Sequence, residues 1–311
     1  MQAITYTAYG PPQVLQRVDL DKPQPQADEL LVRIHATTVT SGDTRLRSSD
    51  FPPAAWLIAR LLFGLFRPKK QILGHELAGV VEAVGKDVTR YRVGDAVIAT
   101  PTALPSGAYA EYICIPQDRK KGVLARKPST LSFAEAAALP VGGMTALYLL
   151  DKAGLAAGQQ VLIYGASGSV GSYAIQIAKA EGAEVVAVCS GANAEMVKAL
   201  GADRVIDYRQ EDYSRLASRF DIVFDAVGKT SKATAKQVLQ KGGRFVTVKA
   251  LTSPTQEHLN RLIALAEAKK ITPYLDRTFP LADIVAAHEY VDQGRKRGNV
   301  AIEVVPATSA G

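Results

Sequence analysis

A short run of small residues, Gly165–Gly171, has the spacing that lets a polypeptide backbone approach phosphate groups closely. The run reads Gly-Ala-Ser-Gly-Ser-Val-Gly, follows the strand-like Val161–Tyr164 and precedes a stretch with helical spacing. Gly165 permits a tight exit from the strand, Gly168 lets backbone N–H groups reach a pyrophosphate, and Gly171 lets helix and strand pack closely. The phosphates would meet the positive end of the helix. The residues predicted to form this dinucleotide site are Gly165, Ala166, Ser167, Gly168, Ser169, Val170 and Gly171.

The end of the next predicted strand indicates which dinucleotide is preferred. NAD-selective sites usually place an acid there, and the sequence Cys-Ser-Gly-Ala-Asn at residues 189–193 has none. A carboxylate would repel a 2′-phosphate, whereas Ser190 and Asn193 can donate hydrogen bonds to one, so the sequence favours NADP(H). No Lys or Arg lies next to Ser190 or Asn193 in the sequence. We expect Tyr208 or Arg209, at the end of the following strand, to supply the missing contact with the 2′-phosphate. The candidate cofactor-binding residues outside the glycine run are Ser190, Asn193, Tyr208, Val227 and Asn299.

The elements that must position these residues change in character along the chain. Residues 1–125 consist of short alternating runs broken by Gly and Pro, which predict strands and turns. After Pro128 a helix is expected from about residue 132 and a second from about residue 143. Beyond them strands alternate with helices, which predicts βαβ units and a parallel sheet. The predicted strands there are 160–164, 184–189, 204–206, 221–225 and 244–248, and the predicted helices are 169–181, 194–200, 232–239 and 256–269.

Composition excludes several classes of protein. Hydrophobic residues make up 47% and charged residues 22% of the 311 residues, as in an average soluble globular chain with room for two domains. The net charge of +7 suits an anionic partner. Because the basic residues are scattered and no RNA-binding aromatic signature accompanies them, we expect no specific nucleic-acid partner.

The two cysteines and the apolar stretches indicate where in the cell the protein is expected to be located. Cys114 and Cys189 lie in apolar, strand-like sequence, so we expect buried thiols in a reducing cytoplasm rather than a disulfide or metal ligands. The N-terminus has no signal-peptide pattern. The apolar stretch from residue 54 to 66 carries Arg60 and is too short to cross a bilayer, so no membrane span is expected.

Further motifs accompany the glycine run in a specific order. They are Gly-His-Glu-Leu-Ala-Gly at 74–79, Val-Gly at 84–85 and Arg-Val-Gly-Asp-Ala-Val at 92–97. Together they resemble the medium-chain dehydrogenase/reductase superfamily over nearly the whole chain. Within that superfamily, residues 139–147 and 294–300 are most similar to the quinone oxidoreductase and enone reductase branch.

This resemblance implies an α/β protein of two domains. One is a GroES-like, mainly-β catalytic domain made from both chain ends, which we place at residues 1–127, completed by 272–311. The other is a Rossmann domain with a doubly wound parallel sheet, which we place at 128–271. The resemblance also implies that NADPH lies in the cleft between them.

The resemblance raises the question of zinc. Zinc alcohol dehydrogenases of this superfamily hold their catalytic metal at positions that match Thr40, His75 and Val141 here. Since a catalytic zinc needs about three protein ligands and only His75 with neighbouring Glu76 remains, we expect no metal site. Two cysteines also exclude the four-cysteine structural zinc lobe. We interpret His75 as a polar or structural residue of the cleft wall.

Without a metal, oxidation of an alcohol lacks the group that stabilises an alkoxide. Reduction of an activated C=C bond does not need a metal for this purpose. Hydride passes to the β-carbon of an enone or to a quinone, and a few donors stabilise the charge on the carbonyl oxygen. The candidate donors are Thr40, Ser41 and Thr145. Asp43, which matches an Asp of the family, is expected to orient the loop. Capping of a turn by Thr40 and Ser41 is an equal alternative.

The segment 51–70 lies where this family places part of its substrate pocket. One interpretation is a buried helix. The other is an apolar wall or lid for bulky, lipophilic substrates, formed by Trp56, Leu57, Leu61 and Phe63.

The connection between residues 248 and 256 is short, because related reductases usually insert a strand and helix there that help to form the dimer. A monomer, or a homodimer formed through another surface, is therefore expected.

Two alternatives to a quinone or enone reductase stay open. One is an NAD(P)-dependent alcohol dehydrogenase, which His75 and Glu76 favour. The other is a non-catalytic, cofactor-bound regulator or RNA-binding protein, favoured by the lack of an evident acid–base residue.

Overall fold

The computed structural model describes residues 1–305, apart from the side chain of Ala54, and divides into two compact units. Unit 1 consists of Met1–Pro140 and the C-terminal residues from Leu275, and unit 2 is Val141–Tyr274. The chain therefore leaves unit 1, forms unit 2 and returns to unit 1. The boundaries between the two units lie after residues 140 and 274. The sequence-based prediction placed them after residues 127 and 271.

The strands and helices of the described residues are numbered in chain order. The strands are β1 (Gln2–Thr5), β2 (Gln16–Asp19), β3 (Glu29–Thr38), β4 (Leu77–Val84), β5 (Ala96–Ala99), β6 (Tyr112–Pro116), β7 (Leu124–Arg126), β8 (Gln160–Tyr164), β9 (Glu184–Cys189), β10 (Arg204–Asp207), β11 (Phe220–Asp225), β12 (Leu239–Thr247), β13 (Leu275–Pro280) and β14 (Asn299–Glu303). The helices are α1 (Ser41–Ser48), α2 (Trp56–Phe63), α3 (Phe133–Ala153), α4 (Ser169–Ala180), α5 (Ala194–Ala199), α6 (Lys232–Ala235), α7 (Gln256–Glu267) and α8 (Ile284–Asp292).

Unit 1 is built on a sheet with the order β13-β14-β3-β4-β5-β7, in which β6 also pairs with β3. Its strand pairs are antiparallel except for β13 and β14. Alternate residues of β3, Leu30, Val32 and Ile34, enter one apolar cluster with Leu77 and Ile115, as the two-residue period of a strand requires. The mainly-β prediction for this domain is confirmed. Helix α1 was not predicted, whereas α2 lies within segment 51–70, for which a helix was one interpretation.

Unit 2 is a five-stranded sheet of order β10-β9-β8-β11-β12 in which every neighbouring pair is parallel. Val161, Leu162 and Ile163 of the central strand β8 are fully buried, which suits a strand covered on both faces. No strand or helix occupies the connection from Val248 to Thr255. Because the strands are parallel, the segments that follow β8, β9, β10 and β11 all lie at one edge of the sheet, where such folds bind ligands.

Helix α3 is continuous from Phe133 to Ala153 although Pro140 lies inside it, where the sequence predicted two helices. Ala136–Leu139 are fully buried, and this apolar packing stabilises a helix that lacks one backbone hydrogen bond. Among residues 1–305, α3 alone is long and apolar enough to cross a membrane by length and composition, and 67% of that stretch is buried inside the protein.

Candidate active site

The glycine run forms the turn between β8 and α4. The backbone N–H groups of Gly165 and Ala166 donate to the carbonyl oxygen of Val188 at 3.0 and 3.1 Å, which anchors the turn on β9. Gly168 is the N-cap of α4 and has no side chain that caps the helix. The N–H groups of the first helical turn therefore point to a position where a bound anion can satisfy them.

The three glycines of this turn are required for different reasons. Gly165 has a φ of +78°, and a Cβ there would lie 2.5 Å from Cγ1 of Val227. A Cβ on Gly171 would lie 2.3 Å from the carbonyl oxygen of Gly165. Gly168 has extended backbone, with φ −79°, and a Cβ there would have its nearest neighbour at 3.5 Å. Close packing within the chain thus explains why residues 165 and 171 have no side chain. At Gly168, by contrast, the missing side chain leaves space that a ligand can occupy.

Other candidate cofactor residues lie at the same edge of unit 2. The Asn193 side chain donates from Nδ2 to Oγ of Ser167 at 2.9 Å, which ties the segment after β9 to the glycine turn. The backbone N–H of Tyr208 donates to the carbonyl oxygen of Cys189 at 3.1 Å, directly before Ser190. With Val227 beside Gly165, the structure brings together the predicted cofactor residues of unit 2.

An acid that the sequence analysis missed lies beside this edge. Asp207 ends β10, and a Cβ on Gly191 would lie 2.5 Å from its Oδ2. Its Oδ1 accepts from the backbone N–H of Arg209 at 3.0 Å. In the sequence, the signal for this acid lies at the end of β10, the strand that pairs with β9, and not at the end of β9 itself.

A second missed residue is Asp225, which is fully buried at the end of β11. Its Oδ1 accepts from the N–H groups of Val227 at 3.3 Å and Lys229 at 3.2 Å. Its Oδ2 accepts from the Thr247 hydroxyl at 2.8 Å. Asp225 therefore positions the loop that places Val227 over the glycine turn.

Two other predicted residues lie elsewhere. Thr145 is in α3, and its hydroxyl donates to the carbonyl oxygen of Val141 at 2.7 Å, so its hydrogen is already used within the helix. Asn299 begins β14 in unit 1 and is buried.

The candidate catalytic residues of unit 1 surround one buried carboxylate, that of Asp43. Thr40 is the N-cap of α1 and donates to Asp43 Oδ2 from its N–H at 2.9 Å and from its hydroxyl at 2.6 Å. Oδ1 accepts from the Gly74 N–H at 2.9 Å and from His75 Nδ1 at 2.7 Å. Burial opposes the charge, but His75 and these donors lower the pKa of Asp43 to about 2. Asp43 is therefore an anion that orients its neighbours and cannot serve as the acid.

His75 is the side chain that this carboxylate orients. Because Nδ1 donates to Asp43, Nε2 is the nitrogen that exchanges a proton. The His75 side chain is 37% exposed, and Nε2 has no hydrogen-bond partner among residues 1–305. Burial lowers the pKa of His75, but the Asp43 charge and hydrogen bond outweigh that effect and raise the pKa above its ordinary value. From the sequence, His75 was predicted to be a polar or structural residue, because His75 and Glu76 are too few ligands for zinc. Its contact with Asp43, 32 positions away, is visible only in the structure.

The donor set of unit 1 does not fit a catalytic zinc. The position of the zinc-ligating cysteine holds Thr40, whose hydroxyl is engaged with Asp43. Glu76 is buried and accepts from the Thr38 hydroxyl at 2.5 Å. Within residues 1–305, no group of three or more His, Cys, Asp or Glu side chains is placed to hold a metal ion.

A buried chain of hydrogen bonds stabilises unit 1 through His288. Arg47 Nη1 lies 3.3 Å from His288 Nδ1. A guanidinium only donates, so Nδ1 accepts and the ring hydrogen is on Nε2, 3.1 Å from the Tyr109 hydroxyl. Tyr109 in turn donates to the Thr38 carbonyl oxygen at 3.3 Å. Burial lowers the pKa of His288 to about 4, so the ring is neutral at neutral pH.

This assignment predicts how stability depends on pH. Unfolded His288 takes up a proton near its ordinary pKa of about 6.5, so acid favours the unfolded state until the pH falls below about 4. Gln at this position can accept from Arg47 and donate to Tyr109 without titrating. Between about pH 7 and about pH 5, urea denaturation should show that His288→Gln loses roughly 2 kcal/mol less stability than the parent protein. Equal losses in the two proteins would contradict a neutral His288.

The predicted pocket residues Trp56, Leu61 and Phe63 lie in α2, which has no buried residue. The interpretation of this segment as a buried helix is therefore wrong, since α2 lies on the surface of unit 1. The role of these side chains as a pocket wall stays a prediction.

Comparison with known proteins gives the family. Residues 26–128 match the model of the alcohol dehydrogenase GroES-like domain, and residues 169–274 match a zinc-binding dehydrogenase model. The 2-methylene-furan-3-one reductase of Solanum lycopersicum is 33% identical, over 98% of this chain and 80% of the relative. The chloroplastic NADPH-dependent alkenal/one oxidoreductase of Arabidopsis thaliana is 30% identical, with the same coverage.

A solved structure, the quinone oxidoreductase from Coxiella burnetii, superposes with a TM-score of 0.81 and 30% identity, covering 98% of this chain and 99% of that one. The likeness extends over both units and over the motifs from which the resemblance was inferred. The chain therefore belongs to the medium-chain dehydrogenase/reductase superfamily, in its quinone oxidoreductase-like branch.

Proposed function

We propose that the protein is an NADPH-dependent reductase of quinones or α,β-unsaturated carbonyl compounds that works without zinc. The observation that carries this proposal is the His75–Asp43 pair, in which Nδ1 lies 2.7 Å from a fully buried carboxylate. His75 in this pair can donate a proton. Because Thr40 replaces the zinc-ligating cysteine, the same residues do not form a set of metal ligands. The names of the relatives, an enone-type reductase and an alkenal/one oxidoreductase, support the same substrate class.

The residues of the two units have separate tasks in this reaction. A reduced nicotinamide, when bound, supplies the hydride. The N-terminus of α4 and the Gly165–Gly171 turn hold the pyrophosphate. As hydride adds to the β-carbon of an enone, negative charge develops on the carbonyl oxygen, and His75 donates its Nε2 proton to that oxygen. The product enol returns to the ketone in water, and Asp43 keeps the ring oriented while His75 regains a proton.

The preference for NADPH over NADH is supported by hydrogen-bond donors. Ser190 and Asn193 follow β9 without an acid, and Asn193 is bound to the glycine turn. Asp207 lies close to this segment, since a Cβ on Gly191 would be 2.5 Å from its Oδ2. Its Oδ1 accepts from the Arg209 N–H within its own turn. We infer that Ser190 and Asn193 would hold the 2′-phosphate of NADPH through their hydrogen-bond donors.

A substitution at Ser190 tests this placement. Ser190→Asp adds a negative charge where the 2′-phosphate is expected, so the KM for NADPH should rise roughly tenfold or more while that for NADH stays within about threefold. Ser190→Asn, which keeps a donor, is the matched control and should retain the preference. Equal rises in both KM values for Ser190→Asp would mean that the phosphate binds elsewhere.

The activity itself is tested with purified protein whose metal content is measured. NADPH and NADH are each offered with a panel of quinones, enones and saturated aldehydes. We expect NADPH-dependent reduction of quinones or enones at substoichiometric zinc. Alcohol oxidation that requires one zinc per chain would identify an alcohol dehydrogenase instead, and NADPH binding without turnover would favour a regulator.

A further inference from the structure

Helix α2 exposes apolar side chains on its outward face, where a helix on the surface of a soluble protein normally has polar residues. Leu57, Ile58, Leu61 and Leu62 occupy positions i, i+1, i+4 and i+5, which share one side of a helix. They are 57%, 70%, 56% and 64% exposed. The outward face of α2 therefore consists entirely of aliphatic side chains.

The charged residue of α2, Arg60, faces the protein instead. Its guanidinium lies 3.9 Å from the ring centre of Tyr9 and 5.2 Å from that of Trp56. It also donates to the Ser49 hydroxyl at 3.1 Å and to the Leu65 carbonyl oxygen at 2.9 Å. Arg60 fixes the helix to unit 1 and holds the apolar face outward, so this arrangement is the reverse of an ordinary surface helix.

The exposed apolar area continues past the end of the helix and has a basic border. Phe66 is 89% exposed. No Asp or Glu occurs from residue 51 to 70, whereas two exposed basic residues, Arg67 and Lys69, do. Lys69 donates to the Leu61 carbonyl oxygen at 2.9 Å. We define the α2 surface as Leu57, Ile58, Leu61, Leu62, Leu65 and Phe66.

We propose that the α2 surface docks on a bilayer that contains anionic lipids. An apolar helix face beside basic residues is the pattern of helices that lie in the lipid headgroup region. Eight residues are too few to span a membrane, so the contact is peripheral. The Arg67 and Lys69 charges attract anionic headgroups, whereas a second copy docked on the same surface would bring the same cations together. Partly exposed Trp56, at the start of α2, suits the interface.

Trp56 makes the contact directly measurable because it is the sole tryptophan in the sequence. The full-length protein is mixed with vesicles of phosphatidylcholine alone or with added phosphatidylglycerol. We expect co-sedimentation with the anionic vesicles, with a blue shift of tryptophan emission, and at least tenfold weaker binding to the neutral ones. Equal binding to both vesicles, or binding to neither, would overturn the proposal.

Variants assign the contact to the α2 surface. Ile58→Glu combined with Leu62→Glu should lower the partition coefficient roughly 100-fold. Leu251→Glu, at a side chain that is 96% exposed in unit 2, is the matched control and should bind as the parent does. Unchanged NADPH binding verifies that each variant is folded. A double variant that binds vesicles as the parent does, or that changes only the sedimentation mass in lipid-free buffer, would overturn the proposal.

Discussion

Replacing His75 by alanine is expected to lower kcat for enone reduction by about 10²- to 10⁴-fold, the range for loss of a positioned general acid. His75 carries its proton on a ring oriented by Asp43, at 2.7 Å, and Nε2 is the nitrogen that can donate. The KM for NADPH should change little, because the predicted pyrophosphate-binding turn lies in unit 2. Steady-state kinetics with an enone at saturating NADPH measures both quantities.

The pH profile separates proton donation from a structural role. A donor must be protonated, and Asp43 raises the pKa of His75, so kcat should fall as pH rises through that elevated pKa. The His75→Ala variant should lack this decline. His258→Gln is the control, since His258 lies in α7 and binds Thr255, and it should keep both the rate and the profile. A His75→Ala rate within about threefold of the parent would contradict donation by His75.

The second large effect is expected at Gly168. Gly168→Val should weaken NADPH binding by at least roughly 100-fold, since the side chain would occupy the space assigned to the pyrophosphate. The cofactor-free protein should lose only about 1 kcal/mol of stability, the cost of Val in place of Gly at an N-cap. The reason is that φ at Gly168 is −79° and a Cβ there meets no atom nearer than 3.5 Å. Titration calorimetry and urea denaturation measure the two quantities.

Gly171→Val gives the opposite pattern and serves as the comparison. Its Cβ would lie 2.3 Å from the Gly165 carbonyl oxygen and 2.7 Å from Cα of Ala166, so the protein should lose stability even without cofactor. If Gly168→Val instead bound NADPH as tightly as the parent does, the glycine turn would not be the pyrophosphate site.

The sequence predicted β8, β9 and the start of α4 well because their signals are local, but it extended α6 to residue 239, where β12 already begins. Strands β8 and β9 begin and end where expected, at Gln160–Tyr164 and Glu184–Cys189, since a buried parallel strand is a continuous apolar run between turn residues. Helix α4 begins at Ser169 as predicted. The short connection before α7 was also predicted from the sequence. No further strand lies in it, and the sheet has five strands.

What sequence reasoning missed depends on contacts between distant residues. Asp43 and His75 are 32 positions apart, and neither residue alone indicates that the two side chains form a hydrogen-bonded pair. Asp225 looked like an ordinary strand end, although its carboxylate holds the backbone N–H of Val227. Helix α3 continues through Pro140, because burial of its neighbours outweighs the local signal for a break. The outward direction of the α2 leucines depends on Arg60 contacting Tyr9, 51 positions away.

The most direct test of zinc-free hydride transfer uses NADPH deuterated at the transferring position of the nicotinamide. Protein treated with a chelator, and shown to contain no zinc, is incubated with an α,β-unsaturated ketone. The account predicts one deuterium on the β-carbon of a saturated ketone, whereas the new hydrogen on the α-carbon comes from water when the enol returns to the ketone. Deuterium on the carbonyl carbon of an allylic alcohol, formed only after zinc is restored, would contradict it.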